Sequence, residues 1–199
     1  MKILSTVSLW ILFIGMAAES LAAEPMTRPQ IKNYEAPGNL DSKHDLGCVS
    51  TEKLGSKYTP ADLYRALSRC VESDKYKEGA FLFALAGVYG RFDSLRVSDN
   101  TAHQAITVLQ MQALGSKDKS KQAAFQEVLN KTLGNPEGLA AACKDIVRIG
   151  PPDYYPRYMI QHGMGAFLKS GSGDGLVKGF DAKAAWKQSL NTYLHCPGL

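Results

Sequence analysis

No stretch of this 199-residue chain alternates apolar and polar residues with a period of two, which removes a half-buried β-sheet from the expectations. An all-α fold is what remains. The four histidines form no His-x-x-x-His pair, and the four cysteines form no Cys-x-x-Cys, so zinc and covalently attached haem both lack their ligands. Neither a metal nor a cofactor is expected. A Gly-x-Ser-x-Gly nucleophile elbow is also missing, as are the Walker and Gly-x-Gly-x-x-Gly patterns. Gly171-Ser172-Gly173-Asp174-Gly175 is rich in glycine, but no strand precedes it, and the stretch Ser170 to Gly175 reads as a mobile loop. Charge of one sign is lacking too: 23 basic residues against 19 acidic ones give a net +4 that is spread along the chain. Nucleic acid and an anionic membrane are therefore not the expected partners.

What the chain does have begins at Met1. Lys2 precedes an apolar run from Ile3 to about Ala18, and Ser20 and Ala22 satisfy the small-residue rule for cleavage after Ala22. The run is shorter than the ~20 residues a membrane span needs, so residues 1–22 are expected to be a removable signal peptide that leaves no stable membrane anchor. All four cysteines, Cys48, Cys70, Cys143 and Cys196, lie beyond it, an even number in a chain expected to be exported. Two disulfides follow, with three possible connectivities; the favoured one pairs Cys48 with Cys70 and Cys143 with Cys196.

Residues 23–57 hold Pro25, Pro29, Pro37, Gly38 and Gly47 among many polar residues and read as an extended leader pinned at Cys48. Residues 58–199 read as one helical domain of about seven helices. Thr59, Pro60 and Asp62 mark a capped helix start, and Leu63, Tyr64, Leu67, Cys70 and Val71 recur on one helical face. After Ser73-Asp74-Lys75 a second helix opens at Tyr76. It is apolar almost all round, so it is the expected buried centre. A third helix from about Ser98 to Leu114 is expected to turn Ala102, Ala105, Ile106, Leu109 and Met111 inward. The fourth carries Ala124, Phe125, Val128, Leu129 and Leu133, and the fifth starts at Asn135-Pro136 with Leu139, Ala142, Cys143, Ile146 and Val147 on one side. A sixth is expected from Arg157 to about Leu168, and a last one behind Asp181.

The stretch from Thr59 to Asp93 resembles a tetratricopeptide unit. Tyr64, Leu67 and Val71 match the first-helix apolar positions, and Tyr76-Lys77-Glu78-Gly79-Ala80 matches the tyrosine-to-alanine turn. The resemblance implies stacked helical hairpins and, by analogy, protein or peptide binding.

The candidate site lies in the segment that breaks the helical rhythm. Tyr154, Tyr155, Arg157, Tyr158 and His162 gather there beside Asp153, and tyrosine with arginine makes rigid, amphipathic contacts at recognition surfaces. The same residues equally suit a core edge, with the arginine paired and the histidine satisfied. The expected function is that of an exported, periplasmic, non-enzymatic protein that binds another protein, as an inhibitor or toxin-neutralising factor. The alternative is a small cell-wall hydrolase with a lysozyme-like helical body, drawing a carboxylate pair from Glu72, Asp74, Glu78, Asp93, Glu127 and Asp153.

Overall fold

The computed structural model describes residues 35–168 and 173–198. The expected signal peptide, the first part of the leader and Ser170 to Ser172 of the glycine-serine loop lie outside the described residues. Among the described residues the chain is all-α, with eight α-helical segments and two disulfides. The pairing is Cys48 with Cys70 and Cys143 with Cys196, as favoured from the sequence.

Helix α1, Pro60–Glu72, starts where the capping signals place it. The Thr59 hydroxyl accepts from the Asp62 amide at 3.2 Å, and Asp62 Oδ2 accepts from the Thr59 amide at 2.9 Å, closing a capping box. Such a cap contributes about 1 kcal/mol. Asp74, at φ 57°, reverses the chain, and α2, Tyr76–Arg96, returns along α1 as the second arm of a hairpin. From Gly79 to Asp93 only Phe83 and Arg91 escape full burial, so α2 is the central helix. Leu63, Leu67, Leu82 and Leu85 are fully buried between the two arms, each contributing about 1.5–3 kcal/mol.

The remaining helices pack around that axis. A 3-10 turn, Asn100–Gln104, leads into α3, Ala105–Leu114; α4 is Lys119–Leu133 and α5 is Pro136–Ile149, capped by the Asn135 side chain on the Gly138 amide at 2.8 Å. Two short helices follow, α6, Arg157–Ile160, and α7, Gly165–Leu168. Helix α8, Ala182–Ser189, is capped by Asp181 and runs on into a π-helical turn, Leu190–Leu194. Glycine sets how closely that turn docks. A Cβ on Gly87 would fall 2.0 Å from Tyr193 Cζ, so only glycine lets the tyrosine ring lie on α2.

Three sequence expectations need correction. The single sixth helix is broken in two, because the Met164 amide donates to Thr101 Oγ1 and the Gly165 amide to Asp99 Oδ2, each at 2.8 Å, instead of staying in a helical ladder. Met111, expected inward, is 67% exposed: it stands two places from buried Leu109, and residues two apart on a helix do not share a face. Val147 is 43% exposed at the rim of the stripe formed by Ala142, Cys143 and Ile146.

The described part of the leader is closely docked and, against the expectation, not extended throughout: it turns at residues 37–40 and forms a 3-10 helix at Thr51–Lys53. Ala36 and Leu54 are buried, and the Leu40 amide donates to the Tyr158 carbonyl at 3.1 Å. Asp62 does most of the holding. Beyond its cap role, its Oδ1 accepts from the Lys43 amide at 2.7 Å, the His44 amide at 2.8 Å and the Ser42 hydroxyl at 3.0 Å.

Burial pushes the Asp62 carboxyl up, but the His44 and Thr59 amides, the His44 ring and the Thr59 hydroxyl outweigh it and hold the group below its usual 3.8. A folded-state value below the unfolded one means stability that is present above pH 3.8 and is lost as pH falls through the folded value. Acid should therefore free residues 42–44 early. Amide exchange of Lys43 and His44 is expected to accelerate below that point in the parent, whereas Asp62→Asn should exchange fast already at neutral pH.

Candidate functional site: a buried aspartate clamp beneath an exposed apolar turn

Gly150, at φ 90°, ends α5, and the Tyr89 hydroxyl donates to its carbonyl at 2.8 Å. The segment that follows alternates in direction. Tyr154 and Tyr158 point inward and both donate to Asp93 Oδ2, at 3.0 and 2.7 Å. Tyr155 and Arg157 lie outward. Tyr155 is 50% exposed and its hydroxyl donates to the Asp174 carbonyl, while Arg157 Nη2 donates to the Pro37 carbonyl at 3.2 Å. His162 is half-buried, with Nδ1 2.9 Å from Asn39 Oδ1, and burial lowers its pKa below the usual 6.5. The neutral ring, with its proton on Nδ1, ties the loop at Asn39 to the end of α6.

The five residues singled out from the sequence thus divide by task. Tyr158 is 2% exposed, with its hydroxyl turned inward to Asp93. With Tyr154 it closes a clamp whose centre the sequence reading missed: Asp93 and Arg96, three residues apart at the end of α2. Asp93 is fully buried, and its Oδ1 accepts from Arg96 Nε at 2.8 Å. Arg96 Nη2 is 2.7 Å from the same oxygen without a well-angled hydrogen bond, so charge holds that nitrogen. The guanidinium lies 5.1 Å from the Phe92 ring centroid and 5.0 Å from that of Tyr154, a double cation–π contact. Burial raises the Asp93 carboxyl above its usual 3.8, outweighing the opposing pull of Arg96 and the two phenols. Burial likewise raises Tyr154 and Tyr158 well above the usual 10.0, so both stay protonated and keep donating. A carboxylate inside the apolar stretch of α2 was the available signal, since a buried charge demands partners from elsewhere in the chain.

Outside the clamp the surface is apolar. Met164 is 55% exposed, Phe167 43% and Leu168 66%, all within one turn at α7. A cavity of about 230 Å³ adjoins it, lined by Val97, Ile160, Ala166 and Tyr155. Asp99 and Asp174 stand at that cavity as its two carboxylates. The Thr101 hydroxyl, with the Gly165 and Thr101 amides, holds Asp99 below the usual carboxylate value and outweighs its slight burial. An acid kept ionised cannot be the proton donor a glycosidase needs. None of the six carboxylates considered for a hydrolase lines a described cavity. Glu72, Asp74 and Glu127 are instead held in surface ion pairs with Lys117, Lys121 and Lys131.

Among the described residues no group of three or more His, Cys, Asp or Glu is placed to hold a metal ion, and no helix is long and apolar enough to cross a membrane. Two disulfides are the chemistry of an oxidising, exported compartment. Comparison with family models, curated proteins and solved structures gives no significant match to this chain.

Proposed function

We propose that this chain is a periplasmic, non-enzymatic helical protein that works by binding another protein, with inhibition or toxin neutralisation as its concrete form. The observation that carries the reading is the exposed turn at α7. Met164, Phe167 and Leu168 sit in water beside Tyr155, and an apolar cluster of this kind on a rigid frame marks a recognition surface. The turn is tied down at its start, where the Met164 and Gly165 amides donate to Thr101 Oγ1 and Asp99 Oδ2. Of the tyrosine-arginine cluster, Tyr155 and Arg157 are the direct contacts, and Tyr154, Tyr158 and His162 position them. The likeness of the α1–α2 hairpin to a tetratricopeptide unit favours the same class of function. The hydrolase alternative draws less support, because the carboxylates at the adjoining cavity include one held ionised.

The experiment is capture from an envelope extract by the immobilised mature protein. Phe167→Ser with Leu168→Ser should weaken capture roughly thirtyfold, the loss of about 2 kcal/mol typical of a binding anchor. Its melting temperature should match the parent's, and Val147→Ser, an equally exposed apolar residue on α5, should capture normally. Undiminished capture by the double variant would refute the reading.

A further inference from the structure

Tyr155 divides the proposed surface, because it lines two cavities at once. One is the apolar cavity of Val97, Ile160 and Ala166. The other, of about 360 Å³, holds Asp41, Lys43 and Arg157. Among the described residues neither of these cations has a carboxylate within ion-pair distance. The Arg157 guanidinium is nevertheless held in place, and Lys43 is anchored at its backbone with its ammonium on an exposed stem. Arg157 lies over Gly38, where a Cβ would come within 2.6 Å of Nε, and its Nη2 is committed to the Pro37 carbonyl. Lys43 is held through its backbone, whose amide donates to Asp62 at 2.7 Å.

Two cations against the single carboxylate of Asp41 leave this cavity net positive, and the guanidinium already held over Gly38 reduces the ordering cost of binding an anion there. A guanidinium matches a carboxylate by its planar fork, and an ammonium beside it adds a point charge. The opposite end has the reverse character, with Asp99 and Asp174 rimming an apolar floor. Charge complementarity thus gives the surface a direction. We infer that the partner presents an extended segment that seats one carboxylate side chain between Lys43 and Arg157, crosses Tyr155, and places an aliphatic or aromatic side chain over Val97, Ile160 and Ala166. Asp41 in the first cavity repels a second acid, so a single carboxylate fits better than an acidic run. This inference rests on the protein-binding reading and names the partner's chemistry at the same surface.

Two fluorescent octapeptide pools test it on the full mature protein. One pool fixes Glu and a nearby Leu; the other replaces the Glu by Lys and keeps the Leu. The parent should bind the Glu pool about tenfold more tightly, with the advantage shrinking at high salt. Lys43→Glu with Arg157→Glu should reverse the preference, and Lys43→Gln with Arg157→Gln should abolish it, so the test stands if only the neutral pair folds. Equal binding of both pools, binding of neither, or a Glu preference that survives in either variant overturns the inference. If it falls while Phe167→Ser with Leu168→Ser still loses the envelope partner, the protein-binding reading stands alone; if that capture is also undiminished, both fall.

Discussion

Asp93→Ala is expected to cost about 3–5 kcal/mol of stability, more than any other single side chain outside the apolar core, because it strands a guanidinium only 11% exposed and the hydroxyls of buried Tyr158 and half-buried Tyr154. For a domain of this size that lowers the melting temperature by roughly 10 °C. The direction follows from what is left behind. Arg96 keeps its place between Phe92 and Tyr154 but loses its counter-charge, while the Tyr154 and Tyr158 hydroxyls lose their acceptor. Tyr158→Phe is a milder version, since it removes one donor and leaves Arg96 and Tyr154 on the carboxylate. Its cost should be about 1–2 kcal/mol. Denaturant titrations of both variants check the order, and a Tyr158→Phe variant less stable than Asp93→Ala would contradict the carboxylate's place as the centre of the clamp.

Removing the late disulfide should come close to that effect. Cys143 and Cys196 are 53 residues apart and Cys48 and Cys70 are 22 apart, so unfolded-state entropy alone gives about 4 kcal/mol for the first bond and about 3 for the second. The structure widens the difference. Cys196 follows the π-helical turn that lays Tyr193 across Gly87, so opening the bond loosens α2 from the C-terminal segment. Cysteine-to-serine pairs at each bond, compared by denaturant midpoint, should place the Cys143 and Cys196 pair below the Cys48 and Cys70 pair. The reverse order would mean that docking of the leader contributes more than the C-terminal closure.

Local signals in the sequence carried the fold a long way. Thr59 with Asp62, Asn135 with Pro136, and Asp181 each mark a helix start that exists, because a cap is settled by residues three or four apart. The apolar character of α2 likewise identified the centre. What escaped the sequence depends on distant partners. The break between α6 and α7 is made by Asp99, 66 residues before the Gly165 amide it accepts from; Gly163 and Gly165 mark where the chain is closely approached, but not by what. The same reasoning explains the mixed fate of the candidate site. Composition singled out the segment, but Tyr154 and Tyr155 are neighbours of one residue type, and only the position of Asp93 on another helix decides which of them turns inward.

That division between a buried tyrosine and an exposed one is the centre of the account, and one paired measurement tests it: melting temperature and partner capture per folded molecule, on Tyr154→Phe and on Tyr155→Ala. Tyr154→Phe keeps the ring against Arg96 and removes only the hydroxyl bound to Asp93. It should melt several degrees early and capture like the parent, whereas Tyr155→Ala should melt like the parent and capture poorly. The account is contradicted if Tyr154→Phe loses capture at full stability while Tyr155→Ala melts early and still captures its partner.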